Sequence, residues 1–444
     1  MKEIKLKKAV EVLGGKYFGE SGISDRTLLG VSVDSRTIKE NELFFALRGE
    51  HFDGKDFAEE AAFKSKLPAV VSKKIKSGEF ILVEDSLKSL GDLANYYKKE
   101  SNVFTITVTG SYGKTTTKEF MGSIFNTGYS TLVSYKNYNN LIGVPLNLFR
   151  LTNEGIAVLE LGTNKFGEIK RLSEITEPDI GIITGIGSAH LEAFKDKKGI
   201  LKEKCDILAK LRGPLFINGD DPLLRTIEGN KTIKVGFLND NDVVFKILQE
   251  SIDGTVFSAG GVDFWIKLPT VGMLRCAMLA VSVALYYGMS PLKIQEGLKN
   301  VESTSHRMKI IRAEEFNIVD DTYNSNPDSV LNAVSFLSLM PGRKIVVLGP
   351  MLELGESSYY MHKDTGEKLK FKIHNLLAVG DEAKGFIEGF GGGYFASDKE
   401  EAFSILNKIL EKGDTILFKS SRRLRMETLV EQLKEEYCYT CSIL

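Results

Sequence analysis

The sequence predicts an α/β protein of three domains: a small mixed α/β N-terminal domain over residues 1–100, a central parallel-sheet domain of the P-loop type over 101–305, and a C-terminal Rossmann-like α/β domain over 306–444. Three observations predict it. From residue 101 onward, short apolar runs alternate with helical stretches, the pattern of parallel strands joined by crossover helices. The first hundred residues instead hold shorter apolar runs closed by turn residues. A strand, a glycine turn and a helix start meet in "VFTITVTGSYGKTTTKEF" (residues 103–120), as in a phosphate-binding loop.

In the first domain, "GVSVDSRTI" and "ELFFALRG" read as strands, "DFAEEAAFK" as a helix, and "AVVS" and "FILVED" as further strands. The amphipathic "SLKSLGDLANYYKKES" closes the domain as a helix. The central strands are "FTITVTG", "IAVLELG", "IGIITGIG" and "PLFING". "GTVFSAGGVDFWIKLP" reads as an antiparallel excursion, followed by a helix from about Met273 to Tyr287. A second alternating section starts near Arg307, with strands "FNIVDDTY", "RKIVVLG", "NLLAVG" and "DTILFKSS". A length of 444 residues fits two to four domains at roughly 100–200 residues each.

Bulk properties exclude several classes. With 58 Lys+Arg against 59 Asp+Glu, no global field points to nucleic acid or a lipid surface. The N-terminal "MKEIKLKKAVEVLGG" lacks the apolar core of a signal peptide, and no apolar run approaches a membrane span. The expectation is a cytoplasmic monomer acting on small molecules, with no nucleic acid and no membrane span. Cys438 and Cys441 form a lone "CYTC", which reads as an ordinary thiol pair on a terminal strand or tail ahead of a metal or redox site.

The chemistry-bearing residues sit at strand ends. Gly110 and Gly113 let the backbone curl and aim N–H groups at phosphate oxygens, aided by the following helix N-terminus. Lys114 offers a cation to the outer phosphates and Thr115 a hydroxyl to Mg2+. Glu160 ends the next strand, either beside that metal or as a capping or salt-bridging carboxylate. His190 in "GIGSAHLEAF" reads equally as a hydrogen-bonded structural group or a ligand near the site. Lys202 and Lys204 in "LKEKCDIL" read as a solvated helix face from spacing alone. Arg307, Asp320 and Asp321 form a third cluster, with "DTYNSNP" either gripping a ribose or amide or forming a cap and turn.

Together these stretches resemble the Mur ligases, ATP-dependent amide-forming enzymes of peptidoglycan precursor synthesis. The loop "TVTGSYGKTTTKEF" is similar to the family's T-G-[ST]-x-G-K-T-[TS], a form without the earlier glycine that Val108 replaces. "NYNNLIGVPLNLF" (137–149), "ELGTNKFGEI" (160–169), "DDTYNSNPDS" (320–329) and "VLGPMLELGE" resemble the branch that joins D-alanyl-D-alanine to UDP-N-acetylmuramoyl-tripeptide. The DNPR-type signature of the sister ligase that adds the third peptide residue is absent.

The resemblance implies an ATP-dependent peptide ligase forming ADP and phosphate through an acyl phosphate. It implies that Gly110, Ser111, Gly113, Lys114, Thr115 and Thr116 hold the ATP phosphates, with Arg307 near the γ-phosphate and Asp321 near the ribose. Thr115 and Glu160 would bind one Mg2+, and His190 would help bind a second. Lys204 matches the lysine that relatives carry as a carbamate; Lys114, His190, Lys204 and Arg307 form the implied catalytic set. Ser35 and Arg36 would meet the UDP-sugar, Asn137, Asn139 and Asn140 the sugar-peptide, and Asn324 and Asn326 the incoming dipeptide.

Three stretches depart from the family pattern. Leu274, Arg275 and Met278 stand where a His-Asn-x-x-Asn run near the adenine is usual. Gly349-Pro350-Met351 stands for G-D-M, and Ser420 replaces the glycine of a Lys-Gly-Ser-Arg segment in which Lys419, Ser421 and Arg422 remain. Two other readings stay open: another carboxylate–amine ligase of the superfamily, such as a folylpolyglutamate or cyanophycin-type enzyme, and an ATP-binding relative without catalysis.

Overall fold

The computed structural model describes residues 1–437 and 442–443, apart from 21, 24, 50–51, 188–190, 230, 252, 268–270, 302–307 and 314. His190, Arg307, Cys438 and Cys441 therefore lie outside the described residues.

Alternation of strand side chains sets the layers, because residues two apart on a strand share a face. In the central domain Ile106, Val108, Ile156, Val158, Ile182 and Phe216 pack into one core, under the helices Lys114–Asn126 and Val271–Tyr287. Their neighbours Ala157, Leu159, Ile183, Leu215 and Ile217 pack into the core on the opposite face. Strands buried on both faces read as near-continuous apolar runs, which is why they were legible. Among the described residues the sheet has nine strands, in the order Val262–Ile266, Gly254–Ala259, Val243–Ser251, Thr232–Gly236, Leu215–Asn218, Ile180–Ile183, Phe104–Thr109, Ile156–Glu160 and Thr131–Val133. The first three form the antiparallel excursion, and the other pairings are parallel.

The C-terminal domain repeats the device. Val319, Val346, Leu376 and Leu417 face one core, and Ile318, Ile345, Leu377 and Ile416 face the other. Its sheet runs Tyr394–Ala396, Asn375–Val379, Lys344–Leu348, Thr415–Lys419, Asn317–Asp321, Lys309–Arg312 and Ser442–Ile443, with the last two pairings antiparallel. Of the strands in these two sheets, the sequence reading missed Thr131–Val133, Thr232–Gly236, Val243–Ser251, Lys309–Arg312 and Tyr394–Ala396. The first is too short to show a period. Of the longest, Val243–Ser251, Lys246 to Glu250 are exposed and present no buried face.

Among the described residues the first domain holds three small sheets. The helix Ser86–Ser101 ties it to the centre, with Leu90, Leu93, Ala94 and Tyr97 in one continuous core with Leu6, Phe45 and Leu159. The Asp85 carboxylate caps this helix through the N–H groups of Leu87 (2.8 Å) and Lys88 (3.0 Å). Asn95 donates to the carbonyls of Glu174 and Ile175 (3.0 and 2.9 Å), and Arg171 Nη2 pairs with Asp92 at 2.6 Å. Among the described residues no helix is long and apolar enough to cross a membrane.

Lys98 is buried at this junction, and its ammonium donates to the Glu177 carbonyl at 3.2 Å. Burial, and then the nearby Arg212 charge, lower its pKa to about 8 from the ordinary 10.5. Between those values the unfolded chain binds a proton that the folded chain has released, so stability rises with pH. Lys98→Met is expected to remove that rise between about pH 8 and 10.5 in denaturant titrations at stepped pH. An unchanged slope in the variant would assign the effect elsewhere.

Candidate active site

Five chain segments meet at the carboxyl ends of the central strands. The strand Phe104–Thr109 ends at Gly110, whose φ is +147°, and Gly113 at +77° opens the helix Lys114–Asn126. A Cβ on Gly110 would stand 2.1 Å from Thr184 Oγ1, and one on Gly113 would stand 2.9 Å from Cys276 Sγ. Both positions therefore need glycine for conformation and for space. Lys114 Nζ donates to the Gly110 carbonyl at 2.8 Å, and the Ser111 N–H donates to the Gly185 carbonyl at 2.9 Å. The Thr184 hydroxyl donates to the Tyr112 carbonyl. The buried Ser111 Oγ has no hydrogen-bond partner among the described residues.

Parallel pairing sets Glu160 beside Val108, two residues before Gly110. Its buried carboxylate accepts from the Thr115 hydroxyl at 2.8 Å and from Asn139 Nδ2 at 2.9 Å. Asn140 Oδ1 accepts from the N–H groups of Ile142 and Gly143, at the start of the helix Gly143–Leu148. A hydroxyl and a carboxylate oxygen side by side suit a hard cation that keeps much of its water. Among the described residues no three His, Cys, Asp or Glu side chains cluster as a metal site.

Lys204 lies on the helix Lys197–Cys205, whose N-cap Asp196 accepts from the Gly199 N–H at 2.7 Å. The reading of a solvated face is corrected here, since Lys204 is 2% exposed. Burial, and then the charge of Lys114, push its ammonium well below the ordinary lysine range, against the pull of Glu203, Glu160 and Glu168. The adjacent Glu203 accepts from Thr163 Oγ1 (3.0 Å) and from the N–H groups of Gly167 (2.7 Å) and Ile169 (2.9 Å), anchoring the start of the helix Glu168–Thr176.

The C-terminal domain supplies the facing wall. Asp321 accepts from Lys419 Nζ at 2.5 Å and from the Met308 N–H at 3.3 Å, while Lys419 also reaches the Asn324 carbonyl at 2.9 Å. Asn326 is the N-cap of the helix Pro327–Leu337 and forms a capping box with Ser329. Between the walls lies a cavity of about 520 Å³.

That cavity gathers Ser111, Gly113, Lys114, Thr115, Thr116 and Glu160 from the centre, with Asn137, Asn139 and Asn140, and Asp321, Asn324 and Asn326 from the last domain. Ser35 and Arg36 do not line it; Arg36 binds the Asp34 carboxylate through Nε and Nη2 at 2.9 and 2.7 Å. Leu274 and Met278 point into the central core, leaving Arg275 as the polar side chain of that departed run. Ser420 packs against Gly349, where a Cβ would stand 2.2 Å from Ser420 Oγ, so the bare Gly349 backbone leaves the room that the Ser420 side chain takes. The sequence reading missed Tyr112, Thr184, Glu203 and Cys276. The only signal was adjacency of Tyr112 to the loop glycines and of Glu203 to Lys204.

Comparison with known proteins matches residues 27–97 to the Mur ligase family catalytic domain, 108–284 to the Mur ligase middle domain and 306–422 to the Mur ligase glutamate ligase domain. The UDP-N-acetylmuramoyl-tripeptide–D-alanyl-D-alanine ligase of Bacillus subtilis is 33% identical over 91% of this chain and 93% of its own length. The chain belongs to the Mur ligase family. The Escherichia coli ligase of the same name is 31% identical over 98% of this chain and 99% of its own. Among solved structures, MurF from Acinetobacter baumannii superposes with a TM-score of 0.92 at 29% identity, covering 98% of this chain and 99% of that one. A MurF ligase from Thermotoga maritima in complex with ADP gives 0.85 at 29% identity, covering 92% and 97%. The three-domain α/β architecture of this Mur ligase is thus shared over nearly its full length.

Gly110→Ala is expected to strain the loop at a φ that L-residues avoid and to displace Thr184. The expected loss is about 1–3 kcal/mol of stability, read as a lower denaturation midpoint. An unchanged midpoint would show that the loop relaxes freely.

Proposed function

We propose that this Mur ligase joins D-alanyl-D-alanine to UDP-N-acetylmuramoyl-tripeptide and cleaves ATP to ADP and phosphate. The observation that carries the reading is the 520 Å³ cavity, which sets the Gly110–Thr115 loop and Glu160 opposite Asp321 and Asn324 of the last domain. Relatives of that name align over nearly the whole chain.

In this reading the tripeptide's terminal carboxylate attacks the γ-phosphorus of ATP and ADP departs. The amine of the dipeptide then attacks the acyl phosphate, and phosphate leaves from the tetrahedral adduct. Loop N–H groups and Lys114 hold the phosphates. Ser111, Gly113 and Thr116 line the same groove, and the enclosed Ser111 hydroxyl suits a phosphate oxygen. Bound Mg2+ neutralises charge on the transferring group; Thr115 and Glu160 would hold one ion, and Asn139 steadies Glu160 for it. Arg307 and His190 keep the roles that the family pattern implies, near the γ-phosphate and a second ion. Asp321, fixed by Lys419, is assigned to the ribose and Asn324 to the dipeptide. Asn326 positions that loop through its cap. Ser35 and Arg36 are assigned to the UDP-sugar and Asn137 and Asn140 to its peptide. The three domains are assigned in order to the UDP-sugar, to ATP, and to closure over ATP with dipeptide binding. The working state is a cytoplasmic monomer.

Lys204 is assigned a carbamate. Carbamylation needs a neutral amine, and burial beside Lys114 shifts the balance toward that form. The anionic product would suit the Lys114 charge and a hard metal.

Two measurements test these assignments. Phosphate release is expected to require UDP-N-acetylmuramoyl-tripeptide, D-Ala-D-Ala, ATP and Mg2+ together, and to fall by about two to three orders of magnitude in Lys114→Ala. Release that ignores the dipeptide would overturn the reading. With carbon-13 bicarbonate, the wild-type chain is expected to show a carbamate carbon resonance that Lys204→Ala lacks. A resonance retained in the variant, or none in either protein, would refute the modification.

A further inference from the structure

The loop that leaves the strand Lys344–Leu348 is held at four consecutive residues. The Gly349 N–H donates to the Lys419 carbonyl (2.9 Å), and the Pro350 carbonyl accepts from the Ser421 N–H (3.1 Å). The Met351 N–H donates to His362 Nε2 (2.9 Å), and the Leu352 N–H to Ser421 Oγ (3.0 Å). Met351 and Leu354 are buried, while Glu353, between them, is exposed and lines the 520 Å³ cavity. Glu353 has a φ of +64°, in the left-handed region, which a residue with a Cβ keeps only where its surroundings fix it.

Three of the four anchors come from residues 419 and 421; the other is His362, on the helix Ser358–Leu369. The imidazole is fully buried, with its ring 4.7 Å from that of Phe386. Its Nδ1 lies 2.7 Å from the Ser358 carbonyl, which only accepts, so Nδ1 carries the proton and Nε2 is the acceptor for Met351. An imidazolium carries a proton on both nitrogens and would set one N–H against the Met351 N–H. Burial pushes the histidine below its ordinary range, against the Ser358 hydrogen bond and the charge of Glu382. Glu356, Asp328, Asp381, Lys384 and Glu388 also stand on the elements packed against its helix. Lys384 pairs with Asp381 (2.8 Å) and Lys363 with Glu388 (3.7 Å), all at the surface. Among the described residues Glu382 is the charge that acts on the ring.

Four carboxylates line the cavity. Glu160 and Asp321 are buried and Glu168 is half-buried, so Glu353 is the exposed one. It stands on the same domain as Asn324, and an incoming dipeptide carries an ammonium at one end. Resting on the dipeptide reading above, we propose that Glu353 receives that ammonium and that His362 is a positioning residue, whose neutral imidazole holds Met351 and thereby aims Glu353 at the cavity. A carboxylate and an ammonium form a charge-assisted hydrogen bond. Protonation of His362 removes the acceptor for Met351 and frees the loop at one of its four anchors. Dipeptide binding then weakens in acid, while ATP, held by the loop of the central domain, is unaffected.

Initial rates of phosphate release by the full chain, varied in D-Ala-D-Ala and separately in ATP from about pH 5 to 9, test this. Glu353→Gln is expected to raise the dipeptide KM about tenfold and to leave the ATP KM unchanged. His362→Phe, which fills the site without an acceptor, is expected to do the same at neutral pH. His362→Gln offers an amide oxygen to Met351 and does not titrate. It is expected to restore the wild-type dipeptide KM at neutral pH and to lose the acid rise in KM that the wild type shows. Should His362→Phe not fold by circular dichroism, His362→Gln and Glu353→Gln decide. The proposal is overturned if Glu353→Gln or a folded His362→Phe keeps the wild-type dipeptide KM, or if the ATP KM rises as much as the dipeptide KM. It is equally overturned if the wild type shows no acid rise or His362→Gln keeps it. Release by the wild type that ignores the dipeptide would instead sink the functional reading itself.

Discussion

The turn between Thr109 and Lys114 has no room for a side-chain carbon at either of its glycines. Gly110 lies against Thr184 and Gly113 against Cys276, so the loop is clamped between the end of a neighbouring strand and a helix packed beside the one the loop opens. Beside the clamp Lys114 turns back onto the Gly110 carbonyl and Thr115 onto Glu160. Around this fixed point the rest of the site is arranged. Its precision comes from strand ends and helix starts within one close-packed layer, where small shifts are resisted from both sides.

Charge enclosed around that point imposes the second constraint. Glu160, Lys204, Asp321 and Lys419 are all buried, and buried charges persist only with partners. Asp321 and Lys419 satisfy each other across two adjacent parallel strands. Glu160 is held by Thr115 and Asn139. Lys204 answers differently: burial and the neighbouring Lys114 charge disfavour its ammonium form.

Much of this was legible in the chain. The strands flanking the site are buried on both faces, so they stand out as apolar runs, and the glycine loop follows one of them directly. Phosphate-loop residues are contiguous because the loop is a local structure. Asn139 was legible as part of a motif, but its bond to Glu160 joins residues 21 apart and depends on where the next strand ends. Lys204 is the instructive case: the helix around it looks amphipathic and charged, and nothing local marks which lysine turns inward.

The sequence by itself determined the three-part α/β order, the strands and the loop that begins the site, because those follow from side-chain period and backbone conformation over a few residues. Only the tertiary structure decided what faces the cavity. It brought Glu160 to Thr115, buried Lys204 near Lys114, and turned Leu274 and Met278 into the core. Those outcomes depend on how sheets and helices stack, and thus on contacts between residues far apart in the chain.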